Sequence, residues 1–368
     1  MLYWLNHMVK ILLFTLGSLL FSFILAPVII KLLYKFQIRE EIRRSGPESH
    51  LVKQGTPTMA GLLIVLSVTF INLAFNLSRS ETYLPIFALM LAGALGASED
   101  ISKIYKKAII RKGTDAQDKP FLRGFNYYLS WRTIIKFPWD VFRDVFRTLG
   151  SYDSVGLQSY QKYIIELLIG VFFAYWFYFK LGWSSYWMPL LGSIPLGFAY
   201  VPLSAFLFTL FLNSVAITDG LDGLAGGLSV ALFGSLGTIA FFQNQFGLAV
   251  FCATMVGALL AFLYFNLYPA RVFMGNIGSH ALGATAFVVA FMLHKEILLF
   301  IIGGIFLIEV ASDFIQVGSK KLGHGKVFKM APIHHHFELS GWPETKVTMR
   351  FWLIGAVFSL FGLLLSFI

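Results

Sequence analysis

The sequence predicts an all-α polytopic membrane protein, and three observations carry that prediction. The 368-residue chain is 57% hydrophobic and only 13% charged, where a soluble domain carries roughly 25% charged residues. Mean hydropathy is +0.73. Apolar runs of membrane-crossing length recur from end to end, which implies about ten spans in a single domain over 1–368 rather than two soluble domains.

In chain order the runs fall at 11–33, 57–77, 83–99, 162–180, 188–212, 223–243, 246–266, 280–293, 297–318 and 347–367, each bounded by polar residues or by Pro and Gly. The first follows Lys10, and no small-residue cleavage site stands out after it, so it reads as a retained span and not as a removed signal peptide. Pro195, Pro202, Gly303 and Gly304 lie inside later runs. Membrane helices tolerate such residues where neighbours satisfy the freed backbone groups. The one cysteine, Cys252, sits in an apolar run and excludes an intrachain disulfide framework.

Orientation follows from Lys and Arg. The loops 34–56, 101–161, 267–279 and 319–346 carry 22 of the 29, while the loops on the other side carry only Arg79, Lys180 and Lys295. That asymmetry sets the first group as cytoplasmic and both termini outside. The net charge of +10 therefore belongs to membrane loops and not to a soluble nucleic-acid-binding domain. Within the long loop, 125–150 places Trp131, Ile135, Trp139, Phe142 and Phe146 at helical spacing, with Arg132, Lys136, Arg143 and Arg147 on another stripe. Aromatics interleaved with basic residues fit an interfacial helix on anionic lipid. A soluble helix packed on the cytoplasmic face is the alternative.

Five polar clusters interrupt the apolar pattern, all on the basic side. The first, 46–61, brings Gly55, Pro57 and Gly61 to a turn entering a helix, with Lys53 beside it. That suits an anion, though it is also an ordinary loop-to-helix junction. The second ends the third span with Glu99 and Asp100, followed by Lys103. Adjacent carboxylates repel without a cation nearby, and they oppose the helix dipole. They suit Mg2+, which takes one or two carboxylates plus substrate phosphates. A solvated helix end is the plain alternative.

The third cluster, 213–227, holds Asn213, Asp219 and Asp222, each Asp followed by Gly. One Asp is explained as a helix N-cap. Two charges at a bilayer edge point to a cation, a Lys or a ligand. The fourth, 266–283, offers Asn266, Phe273, Asn276, a glycine turn and a hydroxyl, a mix able to stack a base and hold a ribose or phosphate. The fifth is the loop containing His334, His335 and His336, with Lys326, Lys329, Glu338 and Trp342. Three adjacent imidazoles cannot all face one ligand, and with no thiolate-rich segment a zinc site is poorly supported. The loop is expected to face solvent. One-sided clustering favours a site acting on a soluble cytoplasmic substrate over a transport path.

Taken together, GPESHLVKQGTPTMAG (46–61), TDGLDGLA (218–225), FNLYPARVFMGNIGS (265–279), MAPIHHHFELSGWPE (330–344) and RFW (350–352) resemble the phospho-N-acetylmuramoyl-pentapeptide transferase family. The resemblance covers nearly the whole chain except 107–155, which looks like a cytoplasmic insertion. The HHHFE segment is its most specific part. It implies ten helices, a homodimer in the bacterial inner membrane, and a cytoplasmic cleft. The implied reaction is Mg2+-dependent: undecaprenyl phosphate attacks the β-phosphate of UDP-MurNAc-pentapeptide, UMP leaves and lipid I forms.

By that resemblance Asp100, Glu99, Asp222 and His334 are the catalytic candidates. Asp100 and Asn276 stand at the metal positions. Lys53, Thr58, Asn213, Asp219, Asn266 and Phe273 belong to the nucleotide-sugar pocket, with Phe273 on uracil. Lys103 and Lys162 lie near the phosphates, with His335 and Gln316 as further contacts. The chain departs from the family pattern at five places: Glu99 for Asp, Ala216 for Asn, Asn276 for Asp, His280 for Leu, and Asp313 where an apolar residue is usual. Asn276 removes one negative charge from the metal site, so Mg2+ affinity is expected to fall. This leaves two rival readings: an impaired member that binds nucleotide-sugar or lipid, and a sibling transferase that uses another UDP-sugar.

Overall fold

A computed structural model describes residues 2–39, 53, 55–113 and 159–368. The interfacial helix expected at 125–150 and most of the 107–155 segment lie outside the described residues, as do 46–52 of the first cluster. The described chain is a helix bundle with one small hairpin. The long helices are α1 (Leu2–Lys35), α2 (Gly61–Phe75), α3 (Arg79–Gly113) and α4 (Ser159–Tyr175), the last continuing as a π-helical turn, Trp176–Lys180. After the hairpin come α5 (Tyr200–Thr218), α6 (Leu224–Phe242), α7 (Phe246–Asn266) and α8 (Gly275–Met292). The chain ends with α9 (Glu296–Ile302), α10 (Gly304–Lys321), the short α11 (Ile333–Glu338) and α12 (Glu344–Leu365).

Among the described residues, eight helices are long and apolar enough to cross a membrane, and α9 with α10 forms a further apolar pair bent by 80°. Helix α2, at 15 residues, is apolar but shorter. Each of the ten predicted runs thus falls on a helix, with four main differences. Helix α3 runs on past the predicted 99 to Gly113, so Glu99 and Asp100 lie within a helix and not at its end. The run 188–212 begins in β-structure, not in a helix. Ser185–Met188 pairs antiparallel with Gly192–Pro195, and Leu190 and Gly192 take positive φ at the turn. Four breakers, Pro189, Gly192, Pro195 and Gly197, hold off the helix until Tyr200. The run 297–318 breaks where Gly303 caps α9 and α10 leaves in a new direction. Helix α8 starts five residues before the predicted 280, at the Gly275 turn.

The bundle core is α7, α8 and α5, with α1 and α2 packed on α7 and α3 packed on α8. Helices α7 and α8 have no amphipathic stripe because they are apolar all round, as helices enclosed by other helices must be. Phe208 and Phe211 of α5 and Phe287 and Phe291 of α8 are fully buried, with Phe208 edge-on to Phe287. By contrast α1 and α12 leave a row of large apolar side chains outward, Leu12, Leu16 and Leu20 on one and Leu353, Val357 and Leu360 on the other. In water such faces would be unstable, and in lipid they are the natural outer surface.

Candidate functional site

The polar clusters that lie far apart in the sequence meet at one end of this bundle. Two tight turns organise them: 218–223 between α5 and α6, and 269–275 between α7 and α8.

The first group forms around Lys53. Its ammonium lies 2.7 Å from Asp222 Oδ1 and 2.5 Å from Glu344 Oε1. The same Glu344 oxygen accepts the backbone N–H of Asp222 at 2.7 Å. The other Asp222 oxygen accepts Ala270 N–H at 2.9 Å. Asn266 ties the two turns together: Oδ1 accepts Gly223 N–H and Nδ2 donates to Val272 carbonyl. Gly223, at φ 76, caps the start of α6 in a left-handed conformation that favours glycine. Its carbonyl accepts Trp352 Nε1 at 3.2 Å, which places the RFW segment of α12 against the Asp turn. Of the residues predicted for this pocket, Lys53, Asp222 and Asn266 are brought together directly. Thr58 and Phe273 sit on adjoining loop segments, where Phe273 N–H donates to the Pro57 carbonyl and Ala60 N–H to the Phe273 carbonyl. Asp219 lies half-buried at the end of α5.

The second group gathers at α3 and the start of α8. Asp100 is 6% exposed, and its Oδ2 accepts Ile277 N–H at 3.2 Å, in the first turn of α8 where a carboxylate is favoured. Gly275 makes the approach feasible. It has φ +73, and a Cβ there would stand 2.8 Å from both Asp100 Oδ2 and Met59 N. Glu99 faces Lys103 at 3.0 Å and Lys162 at 3.3 Å. Asn213 joins this group by donating to Glu166 and to Thr209 carbonyl, so its amide hydrogens serve the bundle interior.

Asn276, next to the Ile277 N–H that Asp100 accepts, has a buried Nδ2 with no hydrogen-bond partner. Among the described residues, no three His, Cys, Asp or Glu side chains group as a metal cage. The donor set fits an ion that takes one or two carboxylates and leaves the rest of its shell to phosphate and water. Asp100 supplies the anionic oxygen. The Asn276 amide, whose Nδ2 has no partner, would offer a neutral one if turned end for end.

The third group is the histidine segment, and here one expectation is corrected. His334 does not face solvent: it is fully buried. Its Nδ1 lies 2.9 Å from Glu309 Oε2, on α10. Its Nε2 is buried without a partner and lies against Gly220, between Asp219 and Asp222, where a Cβ would meet the ring. The reason is helical: 333–338 forms a turn of helix that points successive imidazoles apart. His335 pairs with Glu338 at 2.8 Å, and His336 accepts Lys329 N–H at 3.1 Å. Gln316 uses its amide on the loop backbone, accepting Val327 and Phe328 N–H and donating to Phe328 carbonyl. Of this segment, His334 lies directly against the Asp turn.

Because Glu309 is also fully buried, His334→Ala leaves a carboxylate without its imidazole. We expect the variant to lose turnover and about 3 kcal/mol of stability, as for a broken buried pair. Thermal unfolding in detergent reads the second effect, and an unchanged midpoint would contradict the pairing.

Three residues escaped sequence reasoning. Glu166 is a single acid in an apolar span, one turn after Lys162, and that spacing was the only signal. Glu344 opens α12, and only the fold shows it gripping Lys53. Glu309 is an acid within an apolar run, and its partner His334 lies 25 positions away. Asp313 is half-buried, and nothing in the structure explains it.

Comparison with known proteins supplies the context. A model of Glycosyl transferase family 4 matches residues 145–294. A phospho-N-acetylmuramoyl-pentapeptide-transferase of Geobacillus sp. (strain WCH70) is 38% identical over 353 residues, covering 94% of each chain. The protein of the same name from Geobacillus thermodenitrificans is 36% identical over 94% of each. That from Clostridium perfringens (strain SM101 / Type A) is 38% identical, covering 93% of this chain and 92% of its own.

Proposed function

The chain belongs to the phospho-N-acetylmuramoyl-pentapeptide transferase family, a family of membrane enzymes, and from that premise we propose that it makes lipid I. The donor is UDP-MurNAc-pentapeptide and the acceptor is undecaprenyl phosphate. A phosphate oxygen of the acceptor forms a bond to the donor's β-phosphorus, the bond to UMP breaks, and UMP leaves. Further parts of this reading are a multi-pass protein of the bacterial inner membrane, both termini outside, the site at the cytoplasmic face, and a homodimer. The observation that carries it is the convergence of Lys53, Asp100, Asp222, Asn266 and His334, from five separate segments, on two adjoining turns at the end of an apolar bundle. A lipid phosphate arrives from the bilayer and an anionic nucleotide from water, so the reaction needs a polar site at such a boundary.

Phosphoryl transfer asks the protein for positioning and charge neutralisation more than for covalent chemistry. Lys162, Lys103 and Lys53 supply the cationic walls. Phe273 offers a ring face for the base. The His334 ring, fixed by Glu309, turns Nε2 toward the Asp219–Asp222 turn, where it can contact substrate. Mg2+, held by Asp100 with Asn276 beside it, would neutralise charge on the diphosphate.

The experiment is UMP release by the purified protein with undecaprenyl phosphate and either UDP-MurNAc-pentapeptide or UDP-GlcNAc. Release with the first donor only is expected. Release with UDP-GlcNAc alone would establish the sibling transferase instead. Asn276 favours testing the impaired reading separately. Asn276→Asp restores a hard anionic oxygen where the amide has no partner, so it is expected to raise turnover or lower the Mg2+ concentration required. A Mg2+ titration of UMP release that is identical in the two proteins would remove position 276 from the metal site.

A further inference from the structure

His280 and Glu166 are both fully buried, and the transfer chemistry uses neither directly. His280 Nδ1 lies 2.9 Å from the Asn276 carbonyl, and Nε2 lies 3.3 Å from Glu166 Oε1. A carbonyl can only accept, so Nδ1 donates to it. Nε2 then faces the Glu166 carboxylate. Glu166 Oε2 accepts from Asn213. Every polar atom of the pair is therefore engaged deep in the bundle.

Lys162 stands between two carboxylates. Its ammonium is 3.3 Å from Glu99 Oε2 and 3.9 Å from Glu166 Oε1. Glu99 lies at the site, next to Asp100, and Glu166 lies in the interior. Glu166 competes for the ammonium from one turn along the same helix, at the i,i+4 spacing that favours pairing. A fully buried carboxylate has no water to fall back on and draws any cation within reach.

We propose that His280 is a positioning residue for Lys162. By occupying Glu166 Oε1 it keeps the Lys162 ammonium turned toward Glu99 and the cleft, where it binds the diphosphate of a nucleoside-diphosphate ligand. The identity of that ligand rests on the transferase reading. An apolar residue at 280, which the family pattern usually carries, would leave Glu166 to Asn213 and Lys162 alone. The ammonium would then swing inward by about one hydrogen-bond length.

The test is UDP binding to the purified full-length protein by calorimetry, which needs no turnover. His280→Leu is expected to weaken UDP about tenfold, the scale of one lost charge contact. Adding Glu166→Gln, which keeps the shape and removes the competing charge, is expected to restore affinity to within about twofold. A merely structural His280 predicts no such rescue. In a Lys162→Ala background, His280→Leu is expected to have no further effect on UDP affinity, and this comparison holds even if the single variant melts earlier. Wild-type affinity in His280→Leu, absence of rescue, or an equal loss in the Lys162→Ala background would each overturn the proposal. UMP release by the wild-type protein, measured alongside, tests the transferase reading itself: its absence with the UDP pattern intact overturns that reading and leaves the role of His280 standing.

Discussion

Asp100→Asn is expected to lower UMP release about a thousandfold, the upper range for removing one preorganised electrostatic group, while the protein still folds. The two side chains are nearly isosteric, and Asn retains an oxygen for the Ile277 N–H now held at 3.2 Å. The Gly275 cradle, which leaves no room for a Cβ beside Asp100, accepts either residue. What the substitution removes is one negative charge at the start of α8. In the proposed reaction that charge holds the metal, and position 276 already provides only an amide. A site with one carboxylate and one amide has little left when the carboxylate goes. The measurement pairs UMP release with thermal unfolding. Full activity would exclude Asp100 from the reacting centre, and a collapsed unfolding midpoint would make its role structural.

Lys53→Met is expected to have the second-largest effect, and for a different reason. Lys53 neutralises Asp222 and Glu344 together, whose side chains are 1% and 5% exposed. Removing the cation leaves two carboxylates facing each other out of water, at a cost of about 3–5 kcal/mol. Since Asp222 also anchors Ala270 and, through its backbone N–H, Glu344, both turns of the site loosen with it. Turnover and stability should therefore fall together. Combining Lys53→Met with Glu344→Gln removes one of the two stranded charges, so it is expected to recover much of the unfolding midpoint without recovering turnover. Unfolding at the wild-type midpoint in Lys53→Met would contradict the central placement of this ammonium.

The bundle was legible because its signal is chemical and repeated. A run such as 246–266 can only be a helix if its backbone is to be satisfied in lipid, and the structure places α7 on those residues. Runs failed where apolarity had another cause. Leu190 and Leu191 are hydrophobic but sit exposed on a hairpin tip, and only the nearby Pro and Gly could have warned of it. The site was legible in part. The paired acids at 99–100 and 219–222 stood out because charge is costly beside apolar spans. What the sequence could not give was pairing across distance. Nothing local links Lys53 to Glu344, separated by 291 positions, or His334 to Glu309 on another helix. The histidine triplet drew attention as a unit, yet the helical turn at 333–338 sends its members to three different partners.

The most direct test of a single shared site is the sidedness of the turns that build it. Cys252 is buried, so single cysteines at exposed Arg271 and His324, and at Leu77 and Leu190 on the opposite end, can be labelled with a membrane-impermeant maleimide in intact and in opened spheroplasts. The account predicts that positions 271 and 324 react only after opening, and that 77 and 190 react in both. Labelling of 271 and 324 from opposite sides of the membrane would contradict it, because no cavity could then join the Asp turns to the histidine segment.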